Sequence, residues 1–93
     1  MRFVSLYNSK RKGKKYVITF ENPTMVIHFG AKGSSTYLDH HDEVKRENYL
    51  RRHAVNENWD EVNAGSMSRW ILWGPSTDLE TNLELFLKRF DII

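Results

Sequence analysis

Three short runs near the start of the chain mix apolar, aromatic and β-branched residues in a two-residue rhythm. Phe3-Val4-Ser5-Leu6-Tyr7, Tyr16-Val17-Ile18-Thr19-Phe20 and Met25-Val26-Ile27-His28-Phe29 each read as a β-strand, because such side chains pack well on a pleated surface. Between the first two lies Asn8-Ser9-Lys10-Arg11-Lys12-Gly13-Lys14-Lys15, a polar hairpin tip in which Gly13 is available for a positive φ. Between the second and third lies Glu21-Asn22-Pro23-Thr24, with Pro23 suited to a turn's second position. The three strands form a short antiparallel meander, which needs a helix packed on one face to be stable.

The pattern then changes period. After the loop Gly30-Ala31-Lys32-Gly33-Ser34-Ser35, Asp42 is a helix N-cap with Glu43 in the favourable first turn, and the spacing predicts a helix over 43–55. Tyr49, Leu50, His53 and Ala54 share its inward face, while Val44 and Val55 fall on the other side. Residues 59–65 read as irregular. A short helix starts at Ser66 or Ser68, runs through Trp73 and stops at Gly74-Pro75. Thr77-Asp78-Leu79-Glu80 matches a capping box, and Leu79, Leu83, Phe86, Leu87 and Phe90 then recur at helical spacing. The expected fold is α+β: a three-stranded antiparallel β-meander packed against two or three C-terminal helices, one domain over residues 1–93. Phe3, Val17, Ile27, Tyr49, Leu50, Trp70, Leu83, Phe86 and Phe90 are the expected core.

Composition narrows the function classes. With 93 residues there is one core, and three Trp, four Tyr and five Phe can fill it without staples. The absence of cysteine excludes disulfides and thiolate metal sites. No apolar run is long enough for a signal peptide or a membrane span, so neither secretion nor a membrane partner is expected. Net charge is only +2, but residues 1–38 hold seven Lys/Arg against one acid, and residues 39–93 hold seven against eleven. Such a dipolar molecule suits head-to-tail packing, or a charged partner bound through one end, as well as simple solubility.

The densest chemical feature is Lys10-Arg11-Lys12-Gly13-Lys14-Lys15, five cations in six residues. A projecting finger of this kind can neutralise phosphates, dock on an acidic protein surface, or merely be solvated. Arg51 and Arg52 are candidates for further contacts. Base-specific readout is not expected, because Asn, Gln and aromatics are not interleaved with the charges. His53 and Glu57, four apart, can share a helical face, and with Asp39, His40, His41 and Asp42 they invite a metal or nuclease reading. The spacing matches no zinc or two-metal signature, and a hydrogen-bonded core histidine is the plainer reading of His53. The glycines around Lys32 do not match a phosphate loop, and Ser34, Ser35, Ser66 and Ser68 lack a recognisable base. Trp59, Trp70 and Trp73 can stack bases, but two of them lie on a short apolar helix and read better as core. Arg69 between them is expected to pair with Glu57 or Asp60. No enzymatic activity, cofactor or small-molecule substrate is expected.

Several pieces together carry a family resemblance. The run 14–20, then Ile27-His28-Phe29-Gly30-Ala31-Lys32-Gly33, Tyr49-Leu50-Arg51-Arg52-His53, Glu57-Asn58-Trp59, Ala64-Gly65 and Ser68-Arg69-Trp70-Ile71-Leu72-Trp73 resemble a small family, without an assigned activity, from large nucleocytoplasmic DNA viruses of algae and amoebae. The resemblance covers roughly residues 14–90. Ser35 and Thr36 depart from it where a more acidic, aromatic stretch is expected, and Glu43 stands in place of a proline. What it implies is a viral origin, with no catalytic residues to transfer. The expectation that follows is a non-enzymatic structural or interaction protein, a minor capsid or other virion component, located in the virion or host cytoplasm and contacting other viral proteins. A small, sequence-independent nucleic-acid binder using the cationic finger is the alternative.

Overall fold

The computed structural model describes residues 1–93. Strands β1 (Arg2–Asn8), β2 (Lys14–Glu21) and β3 (Met25–Ala31) pair antiparallel in the order β1-β2-β3, and helices follow them, so the fold is α+β. Each strand outruns its predicted span. β2 takes in Lys14 and Lys15, which leaves only Ser9–Gly13 as the hairpin loop. In the second turn Asn22 is left-handed (φ 57°) and the Asn22–Pro23 peptide bond is cis. A β-bulge between Phe3 and Ser5 bends β1. The free edge of β1 is covered where the Phe3 N–H donates to Ile93 O (2.8 Å) and the Ile93 N–H to Met1 O (3.2 Å).

Register decides which side chains meet the helices. Phe3 pairs with Phe20, Leu6 with Ile18, Ile18 with Ile27 and Tyr16 with Phe29, so these residues share the inner face. Ile18, Phe20 and Phe29 are fully buried there. Val17 belongs to the opposite face, opposed by Tyr7 and His28, which corrects its place in the expected core. The alternation of the run itself agrees, since Tyr16, Ile18 and Phe20 share one face and Val17 shares the other with Thr19. Met67, Ile71, Leu72, Phe86 and Ile92 complete the buried cluster. Phe3, Ile27, Leu83 and Phe90 pack against it half-exposed, as does Trp70.

A helical turn the pattern did not predict, α1 (Tyr37–His40), follows β3. The Asp39 carboxylate accepts the Thr36 N–H (2.8 Å) and hydroxyl (3.2 Å), which closes that turn. Helix α2 (Glu43–His53) starts at Asp42 as expected, with Asp42 Oδ1 accepting the N–H groups of Val44 and Lys45. It stops two residues before Val55, and Ala54 is exposed. Tyr49 is buried; Val44 and Val55 are exposed, as their face predicts.

The short helix begins earlier than predicted. Asn63 caps α3 (Ala64–Met67) through a reciprocal pair with Ser66, inside the stretch read as irregular. The chain then widens into a π-helix, Ser68–Leu72, which ends with the Trp73 N–H on Ser68 O. Helix α4 (Leu79–Arg89) is capped by Asp78 acting on Thr81, one residue past the predicted Thr77 cap and without the Glu80 partner. Between the π-helix and α4, Asn82 is fully buried: its Nδ2 donates to Ile71 O (2.9 Å) and Ser76 O (2.7 Å), and its Oδ1 accepts the Ser76 N–H (3.0 Å). Gly74 lies under this loop, where a Cβ would stand 2.3 Å from Trp70 O.

Candidate functional site

The predicted cationic finger is divided by the strand boundary. Lys10, Arg11 and Lys12 are exposed on the hairpin loop. That loop is held in shape by the Ser9 hydroxyl, which accepts the Arg11 N–H (3.0 Å) and lies 2.7 Å from His28 Nδ1. Gly13 takes φ 80° at its end, and its carbonyl accepts the Lys32 N–H (3.1 Å) from the loop after β3. Exposed Lys32 is thereby tied to the same end of the molecule. His28 sits beneath this group; burial first, then the Arg11 and Lys14 charges, hold its pKa below the ordinary imidazole value.

The other predicted cations part company. Lys15 is engaged: its Nζ donates to Ser34 O (2.7 Å) and lies 3.5 Å from the Asp39 carboxylate. The Asp39 pKa is lowered, chiefly by the Thr36 N–H and then by Lys15. Arg51 is exposed on α2 and does not line the cleft described next. Lys14 and Arg52, 38 positions apart in sequence, line one open cleft of about 500 Å³.

This cleft is formed between the end of β3 with its following loop, the last turn of α2, and the α3–π-helix segment. Ala31, Ala64 and Trp73 give it an accessible apolar wall backed by buried Phe29 and Leu72, and Ser34, Ser35 and Ser68 add hydroxyls. Gly30 is required in that wall: it has φ 78°, and a Cβ there would stand 2.9 Å from Leu72 Cδ1. A smaller hollow of about 290 Å³ adjoins it; Ser35, Arg52 and Trp73 line both, and His40, Lys45 and Asn48 belong to the smaller one.

An aromatic stack supports the α2 side. The Tyr49 ring lies 4.2 Å from Trp73 at 5° and 4.0 Å from the His53 ring. Burial first, then the Glu57 charge, pushes the Tyr49 phenol up to about 12. Arg46 pins α2 to the body by donating Nε–H to Trp73 O (3.1 Å) and Gly74 O (3.0 Å). The His53–Glu57 pair does form, at 2.8 Å, and Glu57 also accepts the Trp59 indole N–H (2.9 Å). Both carboxylate oxygens are therefore occupied. No three His, Asp or Glu side chains converge as metal ligands.

Arg69 departs from expectation. It pairs with neither Glu57 nor Asp60. Its guanidinium lies over the Trp59 and Trp70 rings (5.1 and 4.0 Å), and Nη1 donates to Trp73 O (3.3 Å). Asp60 instead faces Arg89 at 3.6 Å, and Arg89 also covers Trp70, at 3.8 Å. These contacts give Trp59 and Trp70 structural partners within the protein.

What the fold and site define is a small α+β domain with one cationic end and a cleft opening beside it. Residues 4–53, more than half the chain, match the model of a family of unknown function (DUF5754), and the chain belongs to that family. The matched span contains the meander from Val4 onward, α1, α2 and one side of the cleft, including Lys14, Gly30, Ser35, Arg52 and His53. No curated protein and no solved structure matches the chain.

Proposed function

We propose that this chain is a non-enzymatic binding module whose cationic end engages the phosphate backbone of nucleic acid without reading sequence. The observation that carries this reading is the gathering of Lys10, Arg11 and Lys12 with Lys32 through the Gly13–Lys32 hydrogen bond. Lys14 and Arg52 extend the charge onto the neighbouring cleft. Cations on a braced loop make repeated phosphate contacts at small entropic cost, and each contact releases counterions. The test is fluorescence anisotropy with labelled single- and double-stranded oligonucleotides over a salt series. The expected result is affinity that falls steeply with salt. Replacing Lys10, Arg11 and Lys12 by alanine should flatten the log–log slope by roughly 0.7–0.9 for each phosphate no longer neutralised. Absence of binding at low salt, or affinity indifferent to that triple substitution, contradicts the reading.

A second reading keeps the setting implied by the viral resemblance: a structural component of a large DNA virus particle. The observation favouring it is the outer face of the sheet, which no helix covers and on which Val4, Tyr7 and Val26 are exposed. Its test is a protein catalogue of purified virions, in which the chain should be present at a fixed copy number; absence removes the reading.

A further inference from the structure

We infer that the cleft beside the cationic end is a binding site for a phosphate monoester of about mononucleotide size, separate from the hairpin finger. Its volume of about 500 Å³ lies in the range of small-ligand pockets. Its charge selects an anion. Lys14 and Arg52 line it, Lys45 adds a third cation in the adjoining hollow, and the one lining acid, Glu57, has both oxygens bonded by His53 and Trp59. Lys14 and Arg52 against the single Glu57 carboxylate leave the cleft net positive, and Lys45 adds to this from the adjoining hollow, so an anion is favoured there.

The phosphate seat is Arg52 with Ser35, because these two residues line both hollows and bring a guanidinium fork and a hydroxyl to one place. The exposed Arg52 guanidinium makes no ion pair or hydrogen bond within the protein, so it is free to bind. The rest of the ligand lies along Ala31, Ala64 and Trp73, lining residues whose apolar surface stays accessible and suits the uncharged part of such an ester. His53 also lines the wall: its Nδ1 donates to Glu57, so Nε2 of the neutral ring is an acceptor, suited to a ligand hydroxyl and not to the phosphate. The π-helix supplies Ser68 and Leu72 to this wall, and such widened turns recur at binding sites.

The experiment is an amide NMR titration of the whole chain with AMP, ribose 5-phosphate, inorganic phosphate and adenosine as separate probes. AMP should move the amides of Ser35, His53, Gly65 and Ser68, with adenosine at least about tenfold weaker, the factor of about 1.4 kcal/mol that a phosphate contact supplies. Arg52→Ala, at an exposed helical position, should weaken AMP about tenfold while leaving the spectrum folded. The Lys10, Arg11 and Lys12 triple alanine variant should bind AMP unchanged and lose only oligonucleotide affinity, which separates this site from the finger. Cleft amides that stay still with every phosphate-bearing probe overturn the inference. So do shifts confined to residues 9–13, or AMP affinity indifferent to Arg52→Ala.

Discussion

Asn82 is the polar group on which the wall behind the cleft depends, and its replacement gives a sharp test. The amide is fully buried and makes three hydrogen bonds that tie α4 to the end of the π-helix and to Ser76. Asn82→Ala strands the buried Ile71 carbonyl, which costs roughly 1–3 kcal/mol, and leaves a small void; the half-buried Ser76 groups regain water. A total on the order of 3 kcal/mol is expected, with each kcal/mol worth roughly 4–8 °C in Tm for a domain of this size. Asn82→Asp separates hydrogen bonding from shape, because it leaves no void. The introduced carboxylate cannot donate to Ile71 O and Ser76 O, so the folded state requires the protonated acid and raises its pKa above the unfolded value. With a raised folded pKa, stability is present below the unfolded pKa, about 3.9, and is lost as pH rises through the folded value. Thermal unfolding by circular dichroism across pH 4–7 should therefore show the Asn82→Asp variant closing on the parent protein as pH falls. A variant as stable as the parent at pH 7, or a Tm gap independent of pH, refutes the reasoning.

Gly74→Ala should destabilise by about 3 kcal/mol or more in chemical denaturation, because its Cβ would lie 2.3 Å from the Trp70 carbonyl, which cannot move without disturbing the π-helix. Ile92→Ala should lose about 2–4 kcal/mol in the same assay, since Ile92 belongs to the buried cluster. Asp78 has a lowered pKa, chiefly from the Thr81 hydroxyl and then its N–H, so its cap stabilises above the unfolded aspartate pKa and fades as pH falls through the depressed value. The Tm deficit of Asp78→Ala should accordingly be present at pH 7 and vanish in strong acid. Arg46→Ala should raise amide hydrogen exchange in α2 while leaving the sheet protected, because Arg46 holds that helix to the Trp73 and Gly74 carbonyls.

The meander was legible because turn residues punctuate three β-prone runs, and α4 because five apolar residues recur at helical spacing. What escaped was whatever needed a partner from elsewhere. Val17 is the exception: its two-residue alternation with Thr19, against Tyr16, Ile18 and Phe20, was a local signal for the outer face, and pairing with β1 and β3 bears that out. Asn82 breaks the apolar face of α4, and its reason lies in carbonyls at Ile71 and Ser76. Thr36 and Asp39 carried a capping spacing that would have revealed α1. The cationic run is visible in sequence, but its division between loop and strand follows from how far β2 pairs with β3. The cleft had no local signal beyond the four-residue spacing of His53 and Glu57, because its residues come from separate segments.

The most direct measurement of the central claim is an amide NMR titration with a short single-stranded oligonucleotide, run at low and then high salt. Binding through the cationic end predicts shifts centred on Lys10, Arg11, Lys12, Gly13 and Lys32, reversed by added salt. Shifts centred instead on Val4, Tyr7 and Val26 of the outer sheet face, or shifts that persist at high salt, would contradict it.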